Sequence, residues 1–279
     1  MSPAQPIGEQ TSPAIVRLAG IGATTEQILA YLGGLASLLG RSLASLFVSP
    51  LKRRRGIERA VHQAMLAGVR AVPIITLITF FVGVIIALQG AYGLRRLGAM
   101  QLVAGLVAIS ITRELGPLVA AIVVIGRSGS SFAAEIGAMR VSEELDALKT
   151  MALDPIDFLV APKLAAMIVM MPCLVMWSDL MGVAGGALFG VTGGGFTPAG
   201  YFIATCEALA TRDVTTGLIK SLVFGMVITG VGCYEGFSTG AGAESVGRST
   251  TSAVVISILL IVVIDLTFTF LFYSARTGL

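Results

Sequence analysis

Five long apolar segments limit what this chain can fold into more than any other feature of its sequence. Each is long enough for a helix to cross a bilayer, which takes about 20 apolar residues. Hydrophobic residues make up 55% of the 279 residues and charged residues only 13%, which is typical of an integral membrane protein. We therefore expect an all-α integral membrane protein with five transmembrane helices. The segments comprise residues 71–94, 97–126, 164–192, 217–237 and 252–273.

The N-terminal part of the chain, residues 1–56, has a different pattern. Glu26 and Arg41 bracket only fourteen uncharged residues. That stretch is too short to cross a bilayer, so we expect a helix that lies in the membrane interface. Its apolar residues recur every three or four positions, as they do on one face of a helix. They are Ile28, Leu32, Leu35, Leu39, Leu43 and Leu46. A boundary near residue 56 then separates this tail and interface helix from a membrane domain, residues 57–279.

The distribution of basic residues predicts how the chain is oriented. With five spans and a cytoplasmic N-terminus, thirteen of the 19 Lys and Arg residues lie inside and five lie outside, if Lys220 near the outer start of its span is counted; Arg113 lies within a span. The opposite orientation inverts that ratio, so the positive-inside rule favours the first. We therefore expect the C-terminus on the far side of the membrane and residues 126–163 and 238–251 in the cytoplasm. The net charge of +3 is too small and too scattered to indicate nucleic acid binding.

A polar stretch, residues 126–155, separates the second and third apolar segments. It predicts a short cytoplasmic helix that follows Ser142, in which Ser142 acts as a cap, Glu143 and Glu144 occupy the favourable first turn, and Asp154-Pro155 ends the helix. A few polar residues would be enough to connect two spans, so a charged helix at this place indicates a further role. This favours docking on a partner in the aqueous phase over a surface helix that is tucked against the membrane. The apolar stripe of the helix comprises Leu145, Leu148 and Ala152.

Five ionisable residues fall within the apolar segments, where a charge is costly unless it is paired or hydrated. At about 1.5 Å per helical residue, four of them come to a similar level in the half of the membrane away from the cytoplasm. Two interpretations stay open: ion pairs that hold the bundle together, or a polar collar on the path of a lipid headgroup. The five residues are Arg113, Glu114, Asp179, Lys220 and Asp265.

The third apolar segment carries a glycine at every fourth position. This spacing lets a helix approach another backbone closely. We expect the repeat to serve packing within the chain rather than a seam between two copies. It comprises Gly182, Gly186, Gly190 and Gly194.

No catalytic or metal-binding motif is found in the sequence. Residues 242–249 differ by one residue from the phosphate-binding loop G-x-x-x-x-G-K-[ST], but Arg248 replaces the lysine and an apolar segment precedes the loop where a strand is required. We therefore predict no ATP site and no enzyme activity in this chain. An ion-coupled secondary transporter is the alternative suggested by the buried carboxylates. The absence of an internal repeat argues against it.

The polar stretch resembles a known family. Gly126-Arg-Ser-Gly and Ala134-Glu-Ile-Gly-Ala-Met-Arg-Val-Ser-Glu-Glu-Leu-Asp-Ala-Leu, followed by Asp154-Pro155, are similar to the signature of the MlaE/YrbE permeases. These permeases are the membrane subunits of ABC-type lipid transporters that work with MCE-domain proteins. The resemblance extends from about residue 57 to the C-terminus, and includes residues 113–117, residues 247–251 and Asp265.

The resemblance implies a homodimer docked on two ATPase subunits, which would bind ATP and Mg, while this chain binds no cofactor. It also implies an MCE-domain partner, and it allows for a small accessory subunit. The implied location is a bacterial inner membrane that faces a periplasm, and the default cargo is phospholipid, with sterol or mycolic acid left open. The resemblance further implies a coupling helix at about residues 135–150. The residues implied to couple to the ATPase are Glu135, Arg140, Glu143, Glu144, Asp146 and Leu148.

Overall fold

The structure, a computed structural model, describes the backbone of residues 13–48 and 53–277 and the side chains of residues 25–46 and 57–275. Over these residues the chain is helical and contains no strand, which confirms the all-α class. The predicted tail before residue 13 lies outside the described residues. The helices are α1 Pro13–Val48, α2 Arg53–Ala67, α3 Val72–Arg96, α4 Val103–Ser110, α5 Gly116–Val124, α6 Ser130–Val141, α7 Glu144–Thr150, α8 Ala161–Thr192, α9 Pro198–Ala208, α10 Thr211–Phe237 and α11 Ala243–Thr277.

The helices run back and forth between two ends of a bundle. α3 leads away from α2, and the chain returns through α4, α5 and α6 to α7. α8 leads away again, α10 returns, and α11 leaves once more after a short turn at residues 238–242. We call the two ends the α7 end and the far end. The far end holds α9 and the turn that follows α3. The closest helix pairs are α3 with α8, and α10 with α6, α8 and α11.

Six helical stretches of the described chain are long and apolar enough to cross a membrane. They are Thr25–Leu46, Ile57–Arg96, Met100–Val141, Ile156–Thr192, Thr211–Phe237 and Ala243–Ala275. The last five contain four of the predicted spans and all but the first three residues of the remaining one, 97–126. The first lies in α1 and has the lowest mean hydropathy of the six, 1.3. Its length and composition admit a sixth span, so its position in the interface stays a prediction.

Three π-helical turns interrupt the long helices. They comprise Ile111–Leu115 between α4 and α5, Ile125–Gly129 between α5 and α6, and Ile156–Val160 before α8. In the first turn the amide of Gly116 bonds to the carbonyl of Ile111, five residues back. Pro117, which has no amide hydrogen, follows directly. Such turns are often found at functional sites, and the first two coincide with Arg113-Glu114 and with the Gly-Arg-Ser-Gly sequence.

The short helix expected after Ser142 is present as α7, but the single coupling helix expected at residues 135–150 is wrong, because the chain breaks within it. α6 continues the second span to Val141, and Glu143 then adopts a positive φ of 61°, a conformation that no helix interior accommodates. Glu143 therefore precedes α7 and does not lie in its first turn. The hydroxyl of Ser142 donates to the carbonyl of Ala138 and to the carboxylate of Glu144, so Ser142 is not the predicted cap.

Two further expectations about the α7 end need correction. Ala152 is exposed and lies beyond α7 with a positive φ of 56°, so it does not belong to the apolar stripe of that helix. The loop expected at residues 238–251 is shorter than predicted and comprises only residues 238–242, because α11 already begins at Ala243. Leu145 and Leu148 are buried, which confirms the rest of the stripe.

Glycines bring α3 and α8 into backbone contact. A Cβ added at Gly83 would lie 1.9 Å from the carbonyl oxygen of Gly182, and one added at Gly185 would lie 2.0 Å from that of Phe80. Gly186 and Gly190 of the predicted repeat pack against Tyr201 of α9. The repeat is therefore used for packing within the chain, as expected.

We expect Gly185→Val to lower the free energy of unfolding by about 3 kcal/mol, because the new side chain overlaps with the Phe80 carbonyl and forces α3 and α8 apart. Thermal unfolding of the purified protein in detergent measures the effect. Gly93→Ala on α3 is the matched control, since a Cβ there has nothing within 4 Å. An equal loss in both variants would show that the contact is not what makes Gly185 necessary.

Candidate functional site

A buried ion-pair cluster lies within the membrane-spanning part of the bundle. The ammonium of Lys220 is 2.6 Å from Oε2 of Glu114 and 2.9 Å from Oδ1 of Asp265. It also donates to the hydroxyl of Thr269 at 2.9 Å. The side chain of Lys220 is fully buried, whereas those of Asp265 and Glu114 are 15% and 37% exposed. One cation therefore meets two carboxylates, and Glu114 faces the outside of the cluster.

The backbone explains how these residues meet. A Cβ at Gly217 of α10 would lie only 2.5 Å from the carbonyl oxygen of Thr112, so the glycine lets α10 approach the first π-helical turn closely. Lys220 follows Gly217 by about one turn on the same face of α10, where its side chain reaches Glu114. The hydroxyl of Thr269 donates to the backbone carbonyl of Asp265 and lies 3.1 Å from both carboxylate oxygens of Glu114.

Arg113 is held in a second ion pair, away from Lys220. Its Nε donates to Oδ1 of Asp213 at 2.6 Å. Asp213 is buried in the first turn of α10 and also accepts from the amide of Ala210 at 3.1 Å, so it caps that helix. A pocket of about 340 Å³ opens between this pair and Glu114 at the far end of the bundle, and Arg212 and Tyr273 also line it.

Asp179 does not join the cluster. Its Oδ1 is buried without a hydrogen-bond partner among the described residues and lies against Gly116 of α5, where a Cβ would overlap with it. The neighbouring Ser178 donates to the carbonyl of Gly116 at 3.1 Å, which fixes α8 on α5 at this level. The predicted collar of five residues is thus a three-residue cluster, a separate pair formed by Arg113, and an isolated carboxyl.

We expect Asp179→Asn to leave the stability of the protein unchanged to within about 0.5 kcal/mol, or to raise it. The substitution breaks no ion pair, and it removes a carboxyl whose burial is not compensated. The midpoint of thermal unfolding in detergent, compared with that of the unmodified chain, provides the measurement. A large destabilisation would mean that Asp179 has a partner on which the bundle depends.

At the α7 end the bundle presents an acidic helix to the surroundings. Leu145 and Leu148 are buried in the main hydrophobic core, whereas Glu144 and Asp146 are exposed. The ammonium of Lys149 lies 2.7 Å from Oδ1 of Asp146 and holds the pKa of that carboxyl below its usual range. Two apolar side chains therefore anchor α7, and its other face is free to contact a partner.

Glu135 and Arg140 have partners inside the chain. Glu135 pairs at 2.6 Å with the ammonium of Lys163, which is buried and lies 5.0 Å from the centre of the Phe132 ring. Arg140 donates to the carbonyl of Phe237 at the end of α10. Both residues thus connect α6 to neighbouring helices, and this places them at the base of α7 rather than on its exposed face.

α1 is tied to the same end of the bundle. Arg41 pairs with Asp154 at 2.8 Å, directly beyond α7. The hydroxyl of Tyr31 donates to Oε1 of Glu235 on α10 at 2.8 Å. Neither these links nor the contacts of Asp213, Lys163 and Thr269 were predicted from the sequence. A carboxylate in the first turn of a helix, as at Asp213, was the one signal available from the sequence.

The helices and the intramembrane ion pairs define a multi-pass, all-α membrane protein. The family model described as Permease MlaE matches residues 60–271, about three quarters of the chain. The chain therefore belongs to the MlaE permease family. It is 40% identical over 254 residues to a probable ABC transporter permease protein of Rickettsia conorii, covering 91% of this chain and 96% of that relative.

The names of two further relatives refer to phospholipid transport or to a lipid. The intermembrane phospholipid transport system permease protein MlaE of Haemophilus influenzae is 32% identical over 241 residues, covering 85% of this chain and 92% of that protein. The chloroplastic protein TRIGALACTOSYLDIACYLGLYCEROL 1 of Arabidopsis thaliana is 35% identical over 224 residues, covering 80% of this chain and 64% of that protein.

Proposed function

We propose that this chain is the membrane-spanning permease subunit of an ATP-driven ABC transporter that moves phospholipid or a similar lipid between an inner membrane and an MCE-domain protein. The observation that carries the proposal is the exposed acidic face of α7, on a helix anchored by Leu145 and Leu148 in a member of this permease family. An anchored helix transmits force from a docked subunit to the bundle, which a mobile loop does not.

In this proposal the α7 end faces the cytoplasm, and a separate ATPase chain docks there and binds ATP and Mg. Glu144 and Asp146 contact the ATPase directly. Leu148 acts as an anchor, and Glu135 and Arg140 pass the movement on to α8 and α10 through their contacts with Lys163 and Phe237. The functional unit contains two copies of the chain, and the far end meets the MCE-domain protein.

The ion-pair cluster supports a path for a charged headgroup. Glu114 is partly exposed, and the pocket beside it is lined by Arg113 and Arg212, so it offers both signs of charge at the far end. A zwitterionic or anionic phospholipid headgroup carries groups that match both signs. The acyl chains would then lie against the apolar surface of the bundle and make the same kind of apolar contacts as in the surrounding lipid.

Co-purification from native membranes tests the proposed assembly. We expect a tagged copy of this chain to bring down a second, untagged copy, an ATPase and an MCE-domain protein in a complex that survives mild detergent. A chain that purifies alone, as a monomer that none of these proteins accompanies, would contradict the proposal. Such a result would favour the ion-coupled secondary transporter.

A further inference from the structure

A second pocket at the far end lies on a different side of the bundle from the ion-pair cluster. It has a volume of about 430 Å³ and is enclosed by the last turns of α3, the turn that follows α3, and the end of α8. The ion-pair cluster, by contrast, is built by the first π-helical turn with α10 and α11. No residue lines both this pocket and the one beside Glu114.

The pocket has an apolar lining and a basic rim. The apolar lining includes Leu88 of α3, Met100 of the following turn and Phe189 of α8. Leu88, Tyr92 and Arg95 are spaced by four and three residues, so they share one face of α3, and Arg96 adjoins them. An apolar wall that ends in arginines and a tyrosine is the arrangement found where a helix leaves the hydrocarbon core.

The arginines of the rim have no carboxylate partner among the described residues. Arg96 donates to the hydroxyl of Tyr92 at 2.6 Å, and its guanidinium lies 4.8 Å from the centre of that ring. Within the described part of the chain Arg95 forms no ion pair, and no acidic side chain lines the pocket. By contrast, Arg113 at the same end of the bundle is neutralised by Asp213. Two positive charges beside an apolar lining therefore stay without a counter-charge from the described residues.

We propose that this pocket binds the headgroup of an anionic phospholipid from the leaflet at the far end, as a resident lipid and not as cargo. The phosphate accepts hydrogen bonds from Arg95 and Arg96, which form strong, charge-assisted pairs with phosphate oxygens. The glycerol and the first acyl carbons lie over Leu88 and Phe189. The site needs only a membrane around the bundle, so it does not depend on the proposed transport function.

Native mass spectrometry of the full chain in detergent, titrated with phosphatidylglycerol, tests the site. We expect the double variant Arg95→Gln/Arg96→Gln to bind the lipid about tenfold more weakly, the effect of losing about one strong contact. Leu88→Trp keeps both charges but fills the pocket from an exposed position, and it should weaken binding as well. Arg248→Gln removes an exposed arginine at the α7 end and serves as the control.

Four outcomes would overturn the proposal. Two of them would indicate a diffuse attraction without a pocket: binding by the double variant that is no weaker than binding by Arg248→Gln, and binding by Leu88→Trp that equals that of the unmodified chain. Displacement of the lipid by an equal concentration of inorganic phosphate would identify free phosphate as the ligand. A membrane helix of a partner seated over Leu88 and Phe189 in the assembled transporter would assign the pocket to protein instead.

Discussion

Replacing Lys220 with methionine is expected to lower the free energy of unfolding by about 3 kcal/mol. The substitution leaves Glu114 and Asp265 facing each other inside the membrane-spanning bundle without the cation that now lies 2.6 and 2.9 Å from them. This decrease in the free energy of unfolding lies at the low end of the range for a broken buried ion pair, because Glu114 is partly exposed and retains some hydration. Chemical or thermal unfolding in detergent measures the change, and the yield of folded protein should fall with it.

The triple variant Lys220→Met/Glu114→Gln/Asp265→Asn distinguishes the two interpretations of the cluster. Removing all three charges leaves no uncompensated ion, so stability should return to near that of the unmodified chain. If the cluster only holds the helices together, lipid transport returns as well. If it lies on the path of the headgroup, the protein is stable but transports poorly. Failure of the triple variant to regain stability would contradict the ion-pair account itself.

Reversing the charge of α7 with Glu144→Lys/Asp146→Lys is expected to reduce ATP hydrolysis and lipid transfer by the assembled transporter about tenfold or more, since like charges then oppose each other at the docked surface. The fold should persist, because both side chains are exposed and the anchoring residues Leu145 and Leu148 are unchanged. ATPase activity of the purified complex, together with its unfolding temperature, measures the two effects separately.

Glu244→Lys is the matched control for that experiment. It also reverses an exposed acidic residue at the α7 end, where Glu244 pairs with Arg248 four residues later, and such surface pairs contribute little to stability. We expect the control to keep most of the ATPase activity. If it loses as much activity as the α7 variant, the effect comes from the net charge of this end and not from docking on α7.

The large features of the fold could be predicted from the sequence because they depend on local composition. Hydropathy alone predicted long apolar helices where the structure has them, and the cost of a buried charge identified Glu114, Lys220 and Asp265 as residues that need partners. The burial of Leu145 and Leu148 followed from helical spacing. None of these predictions requires knowing which helices are neighbours.

The predictions that were wrong or missing concern details that depend on tertiary contacts. Glu143 adopts a left-handed conformation that splits the predicted helix, and nothing in its residue type requires this. The similar depth of Asp179 suggested that it joins Lys220, but depth along a helix does not determine which side of the bundle a residue faces. Asp213 was missed because α10 begins six residues before the predicted span, and Arg113 therefore had no partner in the sequence analysis.

Lipid transfer in reconstituted membranes tests the central claim most directly. The chain is incorporated into liposomes together with its ATPase and MCE-domain partners, and the movement of a labelled phospholipid between the liposomes and the MCE-domain protein is followed. We expect transfer that requires ATP, stops with vanadate and is lost with Glu144→Lys/Asp146→Lys. Transfer by this chain alone, driven by a proton gradient and unaffected by vanadate, would contradict it.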